Sequence, residues 1–355
     1  MKEEAAVGAG RSEVRRLAEM SNLYTPWSLR TAVTLGLPDL IAEGPEGVVG
    51  IEELGKRSGT DTDALRRLTR HLANLGLFEE VGPDGLRLTD LGQVLRSSHP
   101  AKMAHFLDQG DAFIRSNDAV IPAMVDSIRT GGAAWESVFE KNLWESLAAD
   151  EALSTSFDRT MSQHADILGR RLAETREWAA VDSVVDVGGG SGQLLANILR
   201  EHAHVKGTVV DLPDTVGRAA EIFEAAGVSE RADVVGRSFF EPLPAGADAY
   251  LLVHVLHNWP TGEAAKILRG CAEAAGTTGK VLVVDQVVDL EGHPAPFIST
   301  QRDLCMLVMV GGQERTAAEF EALGEEAGLR LVSVTSLGAD GNSLLEFQSR
   351  AQRSH

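Results

Sequence analysis

Residues Ser183 to Gly192 read SVVDVGGGSG, a β-branched run that carries Asp186 and turns through Gly188, Gly189, Gly190 and Gly192. An amphipathic helical stretch, QLLANILRE, follows at once. A buried strand turning through glycine into a helix gathers unpaired backbone N–H groups and the positive end of the helix at one point. The glycines let the chain turn tightly and let a ligand approach where a Cβ would clash. Their register argues against a dinucleotide. The G-x-G-x-x-G frame from Gly188 meets Gln193, and the frame from Gly190 meets Leu195. Neither offers the small third residue, so a nucleoside without phosphates is the expected ligand.

Downstream, GTVVDLP (207–213), ADVV (232–235), AYLLVHVL (249–256) and KVLVVDQVV (280–288) are further strand-like runs, with helical segments between most of them. This alternation predicts right-handed crossovers and a doubly wound parallel sheet. LRLVSVTSL (329–337) and SLLEFQS (343–349), joined by GADGN, predict a closing antiparallel hairpin. Asp211 ends the second strand, where a carboxylate can accept hydrogen bonds from both hydroxyls of a ribose.

Upstream the reading is helical, and three zones are expected: 1–100, 101–180 and 181–355. In the first, Leu17, Met20, Leu23 and Trp27, then Leu65, Leu68, Leu72 and Leu75, recur at helical steps. IEELGKRSG (51–59) and TDTDALRRLTRHLANLG (60–76) read as two helices, with Thr60 as N-cap and Gly76 as C-cap of the second. FEEV and LRLTD flank GPDG and read as a β-hairpin. Helix-turn-helix plus hairpin is the pattern of a winged helix. DNA binding is nevertheless not expected, because residues 46–100 carry seven Lys or Arg against nine Asp or Glu. Packing or dimerisation is the expected use. The second zone carries Phe106, Phe113, Trp135, Phe139, Trp144, Phe157 and Met161. Such residues are ordinarily core, but between two domains they can line an apolar pocket.

At 355 residues the chain exceeds one typical domain. A net charge of -19 excludes, for the chain as a whole, a partner as anionic as nucleic acid or an acidic membrane. Two cysteines, Cys271 and Cys305, exclude a disulfide framework. No apolar run reaches ~20 residues, and MKEEAAVGAG at the start lacks the apolar core of a signal peptide. A cytoplasmic protein is expected.

DVGGGSGQLL, VVDLP, FFEPLP, HVLHNWP and VGGQERTAAEFEALGEEAGL, in this order and spacing, resemble the small-molecule O-methyltransferases that use S-adenosylmethionine. That family includes plant phenolic enzymes and actinobacterial enzymes that tailor aromatic polyketides, and the likeness runs from Ser21 to Ser349. It implies a Rossmann-like α/β methyltransferase domain with a seven-stranded sheet, a helical linker lining the substrate pocket, and an N-terminal α-helical winged-helix-like dimerisation domain. A homodimer is therefore expected. The resemblance places S-adenosyl-L-methionine against Asp186, Gly188, Gly190, Gly192, Asp211, Ser238, Phe239 and Trp259. Phe239 would stack on adenine, and Ser238 stands where the family usually has Asp.

In phenol-methylating relatives a His in an H-D-W motif is the general base, and here the motif reads His257-Asn258-Trp259. A free pKa near ~6.5 lets His accept a proton at neutral pH. Asp285 and Glu314 match the two Glu residues that flank the base in the relatives, Asp285 being the shorter acid. The resemblance also implies a substrate pocket, with Phe106, Trp144, Phe157, Met161, Asn258 and Met306 as its expected lining. His254 lies three residues before His257, but a third metal ligand is not evident and the family is metal-independent, so no metal is expected. The expected function is methylation of a hydroxyl, phenolic in the first instance, on an aromatic natural product. Two alternatives stay open. One keeps fold and cofactor but hydroxylates or decarboxylates a polyketide; the other is a winged-helix transcription regulator that responds to a ligand.

Overall fold

The computed structural model describes residues 12–288, 296–338 and 341–350. The chain divides into two compact units between Ser116 and Asn117, so the helical zone 101–180 is shared between them.

In the first unit, Val48–Gly50 (β1), Phe78–Val81 (β2) and Gly85–Leu88 (β3) form an antiparallel sheet of order β1-β3-β2. Helices Ile51–Ser58 and Thr62–Asn74 connect β1 to β2, and helices Tyr24–Thr34 and Leu37–Ala42 precede them. Leu37, Ile41, Leu54, Leu65, Leu72 and Phe78 meet in one core, as the helical spacing of the leucines requires. The N-cap falls one residue later than the sequence suggests. Asp61, not Thr60, accepts the Ala64 N–H at 2.8 Å, and a carboxylate also suits the positive end of the helix. Leu75 is the C-cap, and Gly76 follows it with φ +75°.

The second unit carries the seven expected strands: Ser183–Val187 (β4), Lys206–Asp211 (β5), Ala232–Gly236 (β6), Ala249–Val253 (β7), Lys280–Gln286 (β8), Leu329–Ser336 (β9) and Asn342–Ser349 (β10). Their order is β6-β5-β4-β7-β8-β10-β9. β4 to β8 run parallel, and β10 pairs antiparallel with both β8 and β9. The side chains alternate across the sheet. Val185, Tyr250, Leu252, Val281 and Val283 pack on one face with Leu268 and Phe320. Val184, Val209, Leu251, Leu282 and Val284 pack on the other with Trp178, Leu195 and Phe223. Burial on both faces is why these strands read as unbroken apolar runs. The strand order reverses at β4, whose neighbours are β5 and β7. Ligands of open α/β sheets bind at such a reversal, outside the carboxyl ends of the strands.

Candidate active site

At that edge the glycine turn follows β4. Gly188, Gly190 and Gly192 take φ of +74°, +61° and +80°, a region that a side chain disfavours. A Cβ on Gly188 would stand 2.8 Å from Val255 Cγ2, and one on Gly190 would meet nothing within 4 Å. The loop is therefore packed from beneath and open above Gly190. Gly189, to which the sequence reading gives no role, is also obligatory, because its Cβ would lie 2.4 Å from Asp186 Oδ2. Asp211, at the end of β5, accepts the Gly190 N–H at 2.9 Å and the Leu212 N–H at 2.7 Å. Each oxygen keeps a lone pair for a ribose hydroxyl. Phe239 follows β6 and comes within 3.5 Å of the Cβ position of Gly188. Ser238 accepts the Phe240 N–H on its hydroxyl at 3.3 Å. This cradle, apolar on one wall and acidic at the other, fits a nucleoside.

Asp186 lies buried beneath the loop with Oδ2 unpartnered. Burial first, and the Asp211 charge second, push its carboxyl up to about 7. The unfolded chain titrates near the ordinary value of ~3.9. The folded protein thus holds a proton that the unfolded chain releases, and this group's contribution falls as pH rises from about 4 to about 7. Asp186→Asn removes that titration. In ligand-free protein its melting temperature is expected to gain on the wild type across this window and level off above it. A difference that stays constant with pH would contradict a buried protonated carboxyl.

His257 sits in the one-turn helix Leu256–Asn258 just past β7 and is buried. Its Nδ1 lies 2.9 Å from Glu314 Oε1 and 3.6 Å from Asp285 Oδ1. A ring nitrogen facing a carboxylate carries the proton, which leaves the lone pair on Nε2. Neither Asp285 oxygen has a hydrogen-bond partner, and burial above all pushes that carboxyl up to about 7. The structure thus brings His257, Asp285 and Glu314 together.

Several residues that the sequence reading missed hold them. Arg302 Nε lies 3.4 Å from Glu314 Oε1, and Asp303 Oδ1 accepts the Glu314 N–H at 2.9 Å. Arg315 is fully buried and donates to Leu256 O at 2.9 Å and Trp259 O at 2.8 Å, the two ends of the turn that carries the base. A Cβ on Gly312 would meet His257 O at 2.1 Å, so only glycine lets that loop pass. The charged pair Glu314-Arg315, one residue past Gly311-Gly312, was the available signal. Among the described residues, His257, Asp285 and Glu314 are also the one group of three whose atoms could share a metal. Glu314 already faces the Arg302 cation and the Nδ1–H, so the set fits a held imidazole better.

Aromatic rings continue from the base. Trp259 stacks with Trp144 (centroids 6.5 Å, planes 12° apart), and Phe157 meets Trp144 edge-on at 6.2 Å. Phe239 and Phe240 meet Trp259 edge-on at 6.0 and 5.0 Å. Met161 is half-exposed on helix Glu151–Ala173, and Met306 on helix Pro296–Val310 accepts the Gly312 N–H at 3.2 Å. Asn258 Nδ2 donates to His254 O at 2.9 Å and holds the turn. Phe106 belongs to the first unit, where it meets His105.

A glycine turn at the reversal of a seven-stranded sheet and a carboxylate-held His past the same edge are what a methyltransferase would need. The chain belongs to the O-methyltransferase family: residues 122–330 match its O-methyltransferase domain and residues 18–98 its dimerisation domain. It is an S-adenosylmethionine-dependent enzyme of that family. Over 313 residues it is 42% identical to 2,7-dihydroxy-5-methyl-1-naphthoate 7-O-methyltransferase of Streptomyces carzinostaticus, covering 88% of this chain and 92% of that protein. It is 40% identical to aclacinomycin 10-hydroxylase RdmB of Streptomyces purpurascens, covering 93% and 89%. The solved structure of NcsB1, an O-methyltransferase from neocarzinostatin biosynthesis in complex with S-adenosylmethionine and 2-hydroxy-5-methyl naphthoic acid, matches with a TM-score of 0.84. The identity is 39% over 94% of this chain and 98% of NcsB1.

Proposed function

We propose that this enzyme methylates a phenolic hydroxyl on a fused-ring aromatic natural product, with His257 as general base. The 2.9 Å contact between His257 Nδ1 and buried Glu314 carries the reading, because it leaves Nε2 as the proton acceptor. The naphthoate named for one relative and bound in NcsB1 supports the acceptor class. S-adenosylmethionine supplies an electrophilic methyl and leaves as a neutral thioether. We assign its binding to Asp186, Gly188, Gly190, Gly192, Asp211, Ser238, Phe239 and Trp259. The acceptor falls to Trp144, Phe157, Met161, Asn258 and Met306. His257 Nε2 takes the hydroxyl proton as the oxygen forms its bond to the methyl. Glu314, and Asp285 at longer range, offset the charge that the ring gains. Much of the acceleration comes from holding oxygen and methyl in line at contact distance. We place no metal in this mechanism.

RdmB carries the name of a hydroxylase, but a base held for proton removal is what phenol methylation needs. The test is incubation with methyl-labelled S-adenosylmethionine and 1,4-dihydroxy-2-naphthoic acid, the compound in a second NcsB1 complex. The expected product gains one labelled methyl on oxygen, with one thioether per product. A product that gains oxygen or loses carbon dioxide, with the methyl unspent, would overturn the reading.

We further propose a homodimer in the cytoplasm that binds no nucleic acid. Met20, Leu23 and Tyr24 of the dimerisation domain, and Leu17 just before it, are between 66% and 82% exposed, a row of apolar side chains that a second copy would cover. A monomeric mass by light scattering at micromolar concentration would contradict the dimer.

A further inference from the structure

We propose that His254 is a positioning residue for the base: its imidazole lies flat against the His257 ring and fixes the plane in which Nε2 presents its lone pair. This rests on the reading of His257 as base and adds a residue to it. The two ring centroids are 5.2 Å apart, with 16° between the planes. On its edge, His257 is held by one hydrogen bond, from Nδ1 to Glu314. One such bond fixes an atom and leaves the ring to pivot about the N···O line. Asp285, at 3.6 Å and without a hydrogen bond, does not stop that pivot. A flat neighbour against the ring face does.

His254 is tied on three sides. Its N–H donates to Val284 O at 2.9 Å, which extends the β7–β8 pairing one residue past β7. Its carbonyl accepts from Asn258 Nδ2 at 2.9 Å, and its Nε2 lies 2.7 Å from Asn342 Oδ1 at the start of β10. These ties hold a non-glycine residue at φ +54°. Such strain persists only where the surroundings over-determine it, and it clusters where geometry serves function.

The ring is also kept neutral. Burial first, then the charges of Arg302, His257 and His164, hold its pKa well below the ordinary value, and only the Asn342 hydrogen bond opposes them. These groups come from helix Pro296–Val310, the His257 turn, helix Glu151–Ala173 and β10, while β8, which pairs with its backbone at Val284, carries the carboxyl of Asp285. A neutral neighbour lets His257 gain its proton without a second positive charge against its face.

Steady-state kinetics of the full-length enzyme with 1,4-dihydroxy-2-naphthoic acid test this. His254→Asn removes the ring and leaves a residue that tolerates positive φ. A modest loss of melting temperature is expected, from the Asn342 hydrogen bond and the packing of the ring, offset in part by the tolerance of Asn for positive φ. Its kcat is expected to fall about tenfold while the KM for S-adenosylmethionine changes less than about twofold, the signature of a misplaced base. His254→Phe returns a flat face and is expected to recover kcat to within about threefold of wild type. Its pH–rate profile should keep the wild-type shape, because a neutral His254 does not titrate there. Either a His254→Asn kcat near wild type, or a His254→Phe kcat no better than that of Asn, would overturn the proposal. His257→Ala separates the two readings. If it too costs nothing, the base assignment fails; if it alone costs rate, only the positioning role fails.

Discussion

Replacement of His257 by Ala is expected to lower the methyl-transfer rate at pH 7 by about 10²–10⁴-fold, the usual worth of general-base help. Affinity for S-adenosylmethionine should stay nearly unchanged, because the ring faces Glu314 and Asp285 rather than the glycine turn. The loss therefore belongs in kcat, measured by single turnover with cofactor saturating. Asp285→Asn and Glu314→Gln are expected to cost less. They keep the shape of the site, and an amide oxygen turned to Nδ1 leaves Nε2 its lone pair, while the charge that favours the imidazolium is lost. Of the two, Glu314→Gln should cost more, since Glu314 makes the 2.9 Å bond and Asp285 makes none.

The second large effect concerns the cofactor. Asp211→Ala is expected to weaken S-adenosylmethionine binding by roughly 5- to 150-fold. That is the equivalent of ~1–3 kcal/mol for the lost hydrogen bonds to the ribose hydroxyls. The carboxylate does two things at once. In the proposed site it would offer its remaining lone pairs to the ligand, and it anchors the glycine turn by accepting the Gly190 N–H. Asp211→Asn keeps one carbonyl oxygen and should lie between wild type and Ala. Calorimetric titration giving wild-type affinity for Asp211→Ala would remove the residue from the site.

Much of this was legible in the sequence. The central strands announced themselves because burial on both faces leaves apolar runs such as Val281 to Val284. The glycine turn was legible because left-handed backbone demands that residue. What stayed hidden depends on long-range approach. Gly312 reads as an ordinary loop glycine until the His257 carbonyl is found against it. Arg315 shows no sign of burial in the sequence, yet it is buried and braces a turn 56 residues away. Asn258 sits in the motif beside the base, but its amide serves the backbone. Asp61 displaced Thr60 as cap by a single residue, the margin within which helix ends are poorly specified.

The ratio of wild-type to His257→Ala single-turnover rates, followed from near-neutral to alkaline pH with one phenolic acceptor, tests the central claim most directly. A phenol near pKa ~10 needs a proton acceptor at pH 7 and none once it is ionised. The ratio is therefore expected to be large at pH 7 and to collapse toward unity as pH approaches the acceptor's own pKa. A ratio below about threefold at pH 7, against the 10²–10⁴-fold of general-base help, or one that stays flat with pH, would contradict it and leave proximity alone as the source of rate.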